Sequence, residues 1–340
     1  MELEGTILAG PTFDAVSGRV VVEDGEIAAV EETNTDSDDI VLPAFVNAHT
    51  HIGDSIAKEA GRGLTLDELV APPDGLKHRL LRRASRTDLV SAMRRSMRFM
   101  ERTGTSDFIE FREGGRNGVE MLHEAADGRA LRPFVMGRGD AEDVLEVADG
   151  YGATGANDDE FGPERETARE FDKPFAIHAG EGDDSDIHPA IDLHPDLLVH
   201  MVHATPDHLN RVADEGIPIA VCPRSNLTTG VGQPDLELLS EFTTVALGTD
   251  NVFLNSPSMF REMEFAEKLS NLNSVEVLRM ATLNGAEILD RHAGVVEEGA
   301  QARLLVLDGD TDNLSGYQDA VRAVVRRAGA DDVKRVVLKS

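Results

Sequence analysis

The chain has 340 residues, enough for one large domain or two ordinary ones, and its 41% hydrophobic and 28% charged residues read as globular, neither fibrous nor disordered. Its 33 basic against 63 acidic residues give a net charge of −30, which excludes nucleic acid and anionic membranes as partners because the whole surface repels them. Cys222 is the single cysteine, so an internal disulfide and a cysteine-based zinc site are excluded as well.

Only six of the basic residues are Lys, namely Lys58, Lys77, Lys173, Lys268, Lys334 and Lys339. Acid-rich, Lys-poor composition of this kind resembles that of proteins from salt-loving organisms, where concentrated salt screens self-repulsion. The acidic N-terminus lacks an apolar leader, and no apolar run approaches membrane-spanning length. A cytoplasmic protein is expected. The expected partners are a small-molecule substrate and, in a homo-oligomer, further copies of the chain.

In chain order, Val20–Val22, a turn at Asp24-Gly25 and Ile27–Val30 predict a hairpin. Helices are predicted from about Thr65 to Val70, with Thr65 and Glu68 as a capping box, and from Arg86 to Arg102. Further helical patterns run from Pro257 to Leu269 and from Ser274 to Leu289. Between them stand short apolar runs: Phe45-Val46, Phe108-Ile109, Phe134–Met136, Phe175–Ile177, Leu197–Val199, Ile217–Val221 and Val245–Leu247. With an eighth placed at Val144–Val147, they predict a parallel sheet alternating with helices, an α/β (β/α)8 TIM barrel spanning 44–294. Val295-Val296, Arg303–Leu307 and Val333–Leu338 add strands at the far end. Residues 1–43 and 295–340 are therefore expected to form a small β-sandwich domain built from both termini.

The residues that follow these runs carry the chemistry. Phe45-Val46 leads to His49 and His51, Ile177 to His178 and Glu181, Val199 to His200, and Leu247 to Asp250. Barrel enzymes place reactive groups at the C-terminal ends of their strands, so these side chains would meet at one mouth. His49 and His51 are two apart and so point to the same side of a strand. Imidazoles with one carboxylate suit Zn(II) or Fe(II) and leave a position open for water.

With these residues in place the chain resembles the amidohydrolase superfamily, near its cytosine, guanine and triazine-type aminohydrolases. The matching segments are PAFVNAHTH (43–51), IHAGE (177–181), VHMVHAT (199–205), CPRSNL (222–227), LGTDN (247–251) and MATLNGAEIL (280–289). The resemblance implies metal-dependent deamination of an amino-substituted heterocycle: a purine, pyrimidine, pterin or triazine-like ring. It makes His49, His51, His178 and Asp250 ligands of one divalent ion, Zn(II) before Fe(II). The ion would lower the pKa of its water toward ~7 to give hydroxide. Glu181 would take that proton and pass it to the ring, and Asp250 would help deliver one to the departing ammonia. His200 would stabilise the forming oxyanion, with His203 its rival for that place.

Binuclear members of the family it resembles usually bridge their metals with a carboxylated Lys at the end of the fourth strand, and none of the six lies at the end of the fourth run, so one ion is expected. Arg112 and Glu113, Arg138, and Arg224, Ser225 and Asn226 follow the second, third and seventh runs in chain order and are substrate-contact candidates by position. The segment Ser55–Lys77 would cover the substrate. Two other readings stay open: a hydrolase that opens a cyclic amide, and a relative that kept the barrel and lost catalysis. One departure from the family pattern is Arg303, which stands where the C-terminal strand usually carries an acid.

Overall fold

The structure is a computed structural model that describes residues 1–338; Lys339, one of the six lysines, lies outside the described residues. Two sheets organise it. The larger has nine hydrogen-bonded stretches of parallel strand: Phe45–His51, Thr105–Arg112, Arg132–Gly137, Gly150–Gly155, Phe175–Ala179, Leu197–His200, Ile219–Val221, Val245–Leu247 and Asp250–Asn251. The last two stretches belong to one chain segment. Val245–Leu247 pairs with Ile219–Val221, while Asp250–Asn251 pairs with Thr50 and His51 of the first strand, so the sheet curls in the manner of a TIM-like fold. Asn47 secures the join, because its side chain donates to Thr249 Oγ1 and accepts from Thr249 N.

Seven of the eight anticipated runs are strands. Val144–Val147 is not, because Ala141–Leu145 is a short helix capped by Asp140. The fourth strand is instead Gly150–Gly155, a GYGATG stretch that reads as loop because it has almost no apolar side chains. Packing explains its glycines. A Cβ on Gly152 would lie 2.7 Å from the Phe111 ring, and one on Gly150 would lie 2.7 Å from Met136 Sδ, so neighbouring strands fill the space.

Helix Arg86–Arg102 is capped by Ser85 and buries Leu89, Val90, Met93, Met97 and Met100, the 3–4 spacing that places them on one face against the sheet. The Thr65–Glu68 capping box forms and starts helix Leu66–Val70. The helix expected over 274–289 is two, Ser274–Ala281 and Leu283–Ile288, because Thr282 leaves helical geometry at φ −133 and ψ −87. Among the described residues no helix is long and apolar enough to cross a membrane.

The smaller sheet has six strands in the order Val333–Val337, Leu304–Leu307, Ile40–Pro43, Glu2–Ala9, Asp14–Glu23, Glu26–Glu32. Both chain ends contribute, and the anticipated hairpin turns at Asp24-Gly25, both with positive φ. Val295 and Val296 are buried but form no strand. Where this sheet meets the larger one, the buried Asp107 carboxylate at the start of the second strand is surrounded by guanidiniums. Arg132 Nε lies 2.8 Å away, Arg303 Nε 3.1 Å away, and Arg291 also pairs with it. Arg303 further donates to Ser106 O, Ala130 O and Leu338 O.

Candidate metal centre and its mouth

The C-terminal ends of the strands converge as the sequence pattern requires. Donor atoms of His49, His51 and His178 lie within 4.8 Å of one another, and so do those of His49, His200 and Asp250. The two sets share His49, which is fully buried with both ring nitrogens lacking a hydrogen-bond partner. Its Nε2 is 3.3 Å from Asp250 Oδ1. Phe111 packs edge-on against His49 and His178 with ring centroids 4.5 and 5.0 Å away, holding both rings in place.

Each neighbour is fixed by a second contact. His178 Nδ1 is 2.9 Å from Ala153 O, which favours a proton on Nδ1 and leaves Nε2 free as a donor to a cation. His51 Nδ1 lies 3.0 Å from Glu113 Oε1. Asp250 Oδ2 accepts from Ser225 Oγ at 2.5 Å and Oδ1 from Asn251 Nδ2 at 2.8 Å. His200 Nδ1 faces the Asn226 amide at 3.3 Å. His200 and Asp250 both adopt left-handed backbone, at φ 77 and φ 55, a conformation that L-residues keep only where their surroundings enforce it.

The electrostatics match a cation site. Burial, opposed by Asp250, brings the His49 pKa down to about 3, so the ring is a neutral donor. Burial and the neighbouring His49 also lower His178 well below the ordinary range. Burial pushes the Asp250 carboxyl up, but the close approach of His49 and the other surrounding imidazoles outweighs this and keeps it ionised. Buried unpartnered imidazoles beside a buried carboxylate are costly unless something binds them. This donor set fits a divalent cation such as Zn(II).

Glu181 stands beside the cluster, with Oε2 3.5 Å from His200 Nε2 and its side chain 18% exposed. Burial raises its pKa, with His200 opposing. Both line a cavity of about 280 Å³ together with His51, His178, Asp250, Lys77 and Arg138. Leu66, Val70, Ala71 and Pro72, from the segment expected to cover the substrate, form part of its wall. His200 ends the sixth strand, whereas His203 falls in the loop beyond.

Of the six expected substrate contacts, only Arg138 is among the cavity-lining residues, and its guanidinium also holds Gly152 O and Ala153 O; Arg224 is buried and pairs with Glu262. Arg112 is buried behind the wall, donating to Gly118 O and pairing with Glu113. Ser225 and Asn226 lie behind Asp250 and His200, with their polar groups turned to those two residues rather than to the cavity. Sequence reasoning missed Lys77 and Asn251, which also border the cavity. Lys77 enters the sequence reading as the end of the covering segment and as one of six lysines unsuited to bridge two metals. Its rarity as a lysine in this chain, on a short segment beside Leu76, Leu80 and Leu81, was the available signal.

Comparisons with known proteins agree with this arrangement. A family model described as "Amidohydrolase family" matches residues 40–340. An uncharacterized protein of Methanocaldococcus jannaschii is 34% identical, across 97% of this chain and 96% of its own. A 5-methylthioadenosine/S-adenosylhomocysteine deaminase of Halobacterium salinarum is 27% identical, across 99% and 90%. An adenosine deaminase of Xanthomonas campestris, solved with bound zinc, superposes with a TM-score of 0.80 at 19% identity, across 99% and 91%.

Proposed function

The chain belongs to the amidohydrolase family and is a hydrolase acting on C–N bonds, and on that premise we propose that it deaminates an amino-substituted heterocycle at a single divalent centre. The ring class is a purine, pyrimidine, pterin or triazine-like compound. One observation supports this reading: strand ends far apart in sequence bring donor atoms of His49, His51 and His178 within 4.8 Å of one another, and likewise those of His49, His200 and Asp250, with Glu181 3.5 Å from His200. The proposed ligands are His49, His51, His178 and Asp250, with Zn(II) the first choice and Fe(II) the alternative. A bound ion supplies Lewis-acid charge that activates water.

The chain's own groups do the rest. Glu181, its carboxyl made more basic by burial, accepts a proton from the attacking water and returns it to a ring nitrogen beside the attacked carbon. With Asn226 donating to His200 Nδ1, the proton stays on Nε2, which faces Glu181 and donates to the oxygen as charge develops there. Asp250, ionised, takes the remaining proton from the hydroxyl added to the ring carbon and passes it to the amino group, which leaves as ammonia while the ring carbonyl forms; Ser225 and Asn251 fix its two oxygens. Arg138 is the proposed substrate contact at the cavity wall.

The same reading treats 44–294 as a (β/α)8 catalytic barrel, and 1–43 with 295–340 as a small β-sandwich domain. It places the protein in a cytoplasm of concentrated salt, in keeping with its −30 charge.

The test is ammonia release by the purified, Zn(II)-loaded protein from a panel of aminopurines, aminopyrimidines, pterins and aminotriazines. Methylthioadenosine and S-adenosylhomocysteine, named for the Halobacterium relative, come first. Activity should vanish on chelation and return with Zn(II). A loaded protein that opens cyclic amides and releases no ammonia is an amide hydrolase instead. Substoichiometric metal with no turnover marks a non-catalytic relative.

A further inference from the structure

Among the described residues of helix Leu76–Arg83, the one buried side chain is Lys77, 4% exposed. The helix belongs to the segment over the mouth, not to the sheet. An ammonium withdrawn from water stays charged only where partners replace hydration. Here the partners are specific. Nζ lies 2.5 Å from Glu113 Oε1 and donates to Asn251 Oδ1 at 3.0 Å.

Each partner in turn touches a residue of the metal centre. Glu113 Oε1 is 3.0 Å from His51 Nδ1, and Asn251 Nδ2 donates to Asp250 Oδ1 at 2.8 Å. Glu113 immediately follows the second strand and Asn251 lies on the closing stretch Asp250–Asn251, just after Val245–Leu247. One ammonium therefore ties together two strand ends, and through them the orientation of one imidazole and one carboxylate. The rest of its helix is held locally to the same covering segment: His78 Nε2 is 3.0 Å from Val70 O, and Arg82 donates to Pro73 O at 2.6 Å.

We infer that Lys77 is a positioning residue for the metal centre and that, through it, seating of the covering segment and occupancy of the centre are linked. With Lys77 in place, His51 and Asp250 are pre-set for the ion. With the ion in place, Glu113 and Asn251 are held where they grip Lys77. Linkage makes the effect reciprocal. The inference rests on the ligand assignment proposed above. A purely structural ion pair would steady the segment and leave the ligand geometry untouched.

The experiment uses the full chain stripped of metal, in wild-type form and as Lys77→Met, Lys77→Arg and Glu113→Gln. Zn(II) affinity is measured by competition with a chromophoric chelator, ligand geometry by the visible spectrum of the Co(II)-loaded protein, and seating by proteolysis within residues 58–75. Lys77→Met and Glu113→Gln should weaken Zn(II) binding about 10–100-fold, the usual cost of losing an outer-shell partner, and should alter the Co(II) bands. Lys77→Arg, which keeps the charge and the donors, should recover most of the affinity. Zn(II) should slow cleavage of the wild type and have little effect on Lys77→Met.

A wild type that binds no Zn(II) overturns the ligand assignment and this inference with it. Stoichiometric wild-type binding, with equal affinity and an unchanged Co(II) spectrum in Lys77→Met, overturns the inference alone. If Lys77→Met does not fold, the wild type decides: cleavage of the segment at the same rate with and without Zn(II) refutes the linkage.

Discussion

Glu110 offers a quantitative test of the electrostatics behind the site. It sits in the second strand, fully buried, where Oε2 accepts from Thr50 Oγ1 at 2.7 Å and Ile52 N at 2.8 Å, while Oε1 has no partner. Burial, opposed by Arg112 and those two hydrogen bonds, raises its pKa from 4.5 to about 7. Between these values the folded chain holds a proton that the unfolded chain has released, so stability falls as pH rises through the window and levels off above ~7. For a shift of this size the loss between pH 5 and pH 8 is about 2.5 kcal/mol. Glu110→Gln is neutral throughout and keeps the oxygen that accepts from Thr50 and Ile52. Urea unfolding of metal-free wild type and variant, at fixed ionic strength and several pH values, isolates the effect. Their stability difference should shift by about 2.5 kcal/mol in the variant's favour from pH 5 to pH 8. A difference that stays flat over this range means that Glu110 is already ionised in the fold, and the burial argument fails.

Other outcomes are expected from the same geometry. Glu181→Gln should lower kcat by about 10²–10⁴ with metal content unchanged; a loss of less than tenfold removes Glu181 from proton transfer. Gly248→Ala would put a Cβ 2.7 Å from His49 Cβ and 2.8 Å from His49 N, a crowding that should cost about 1–3 kcal/mol and tilt the first ligand. Metal analysis should then show weakened Zn(II) retention, and full retention would show that the strand yields without moving His49. Zn(II) at about 100 times its Kd should stabilise the folded chain by about 2.7 kcal/mol, read by calorimetry as a Tm that drops on chelation. Identical melting with and without chelator would argue against an ion at these donors.

What the sequence disclosed, and what it hid, follows from the range of each interaction. His49, His51, His178, His200 and Asp250 stand within five residues of the ends of short apolar runs, so a local pattern reports their shared end of the sheet. The fourth strand escaped because its residues are small for reasons visible only in three dimensions: Phe111 and Met136 occupy the volume its side chains would need. Arg112 has the right sequence position for the mouth, yet its guanidinium turns to Gly118 O and Glu113, a choice made by contacts rather than by strand order. Lys77 and Asn251 are 174 residues apart, and no spacing rule connects them. The break at Thr282 was equally hidden, since the apolar periodicity runs on across it.

The knot of charge around Asp107 limits how parts can be exchanged between this chain and its relatives. Three guanidiniums converge on one carboxylate, so Arg303 draws its counter-charge from the second strand, whereas the family pattern that the sequence resembles would put an acid at 303. Restoring the acid alone would set two carboxylates against each other and strip Ser106 O and Ala130 O of their donor. A terminal sheet borrowed from a relative with an acid at that position would bring the same mismatch to the larger sheet. Grafts across this seam should succeed only when positions 107 and 303 travel together.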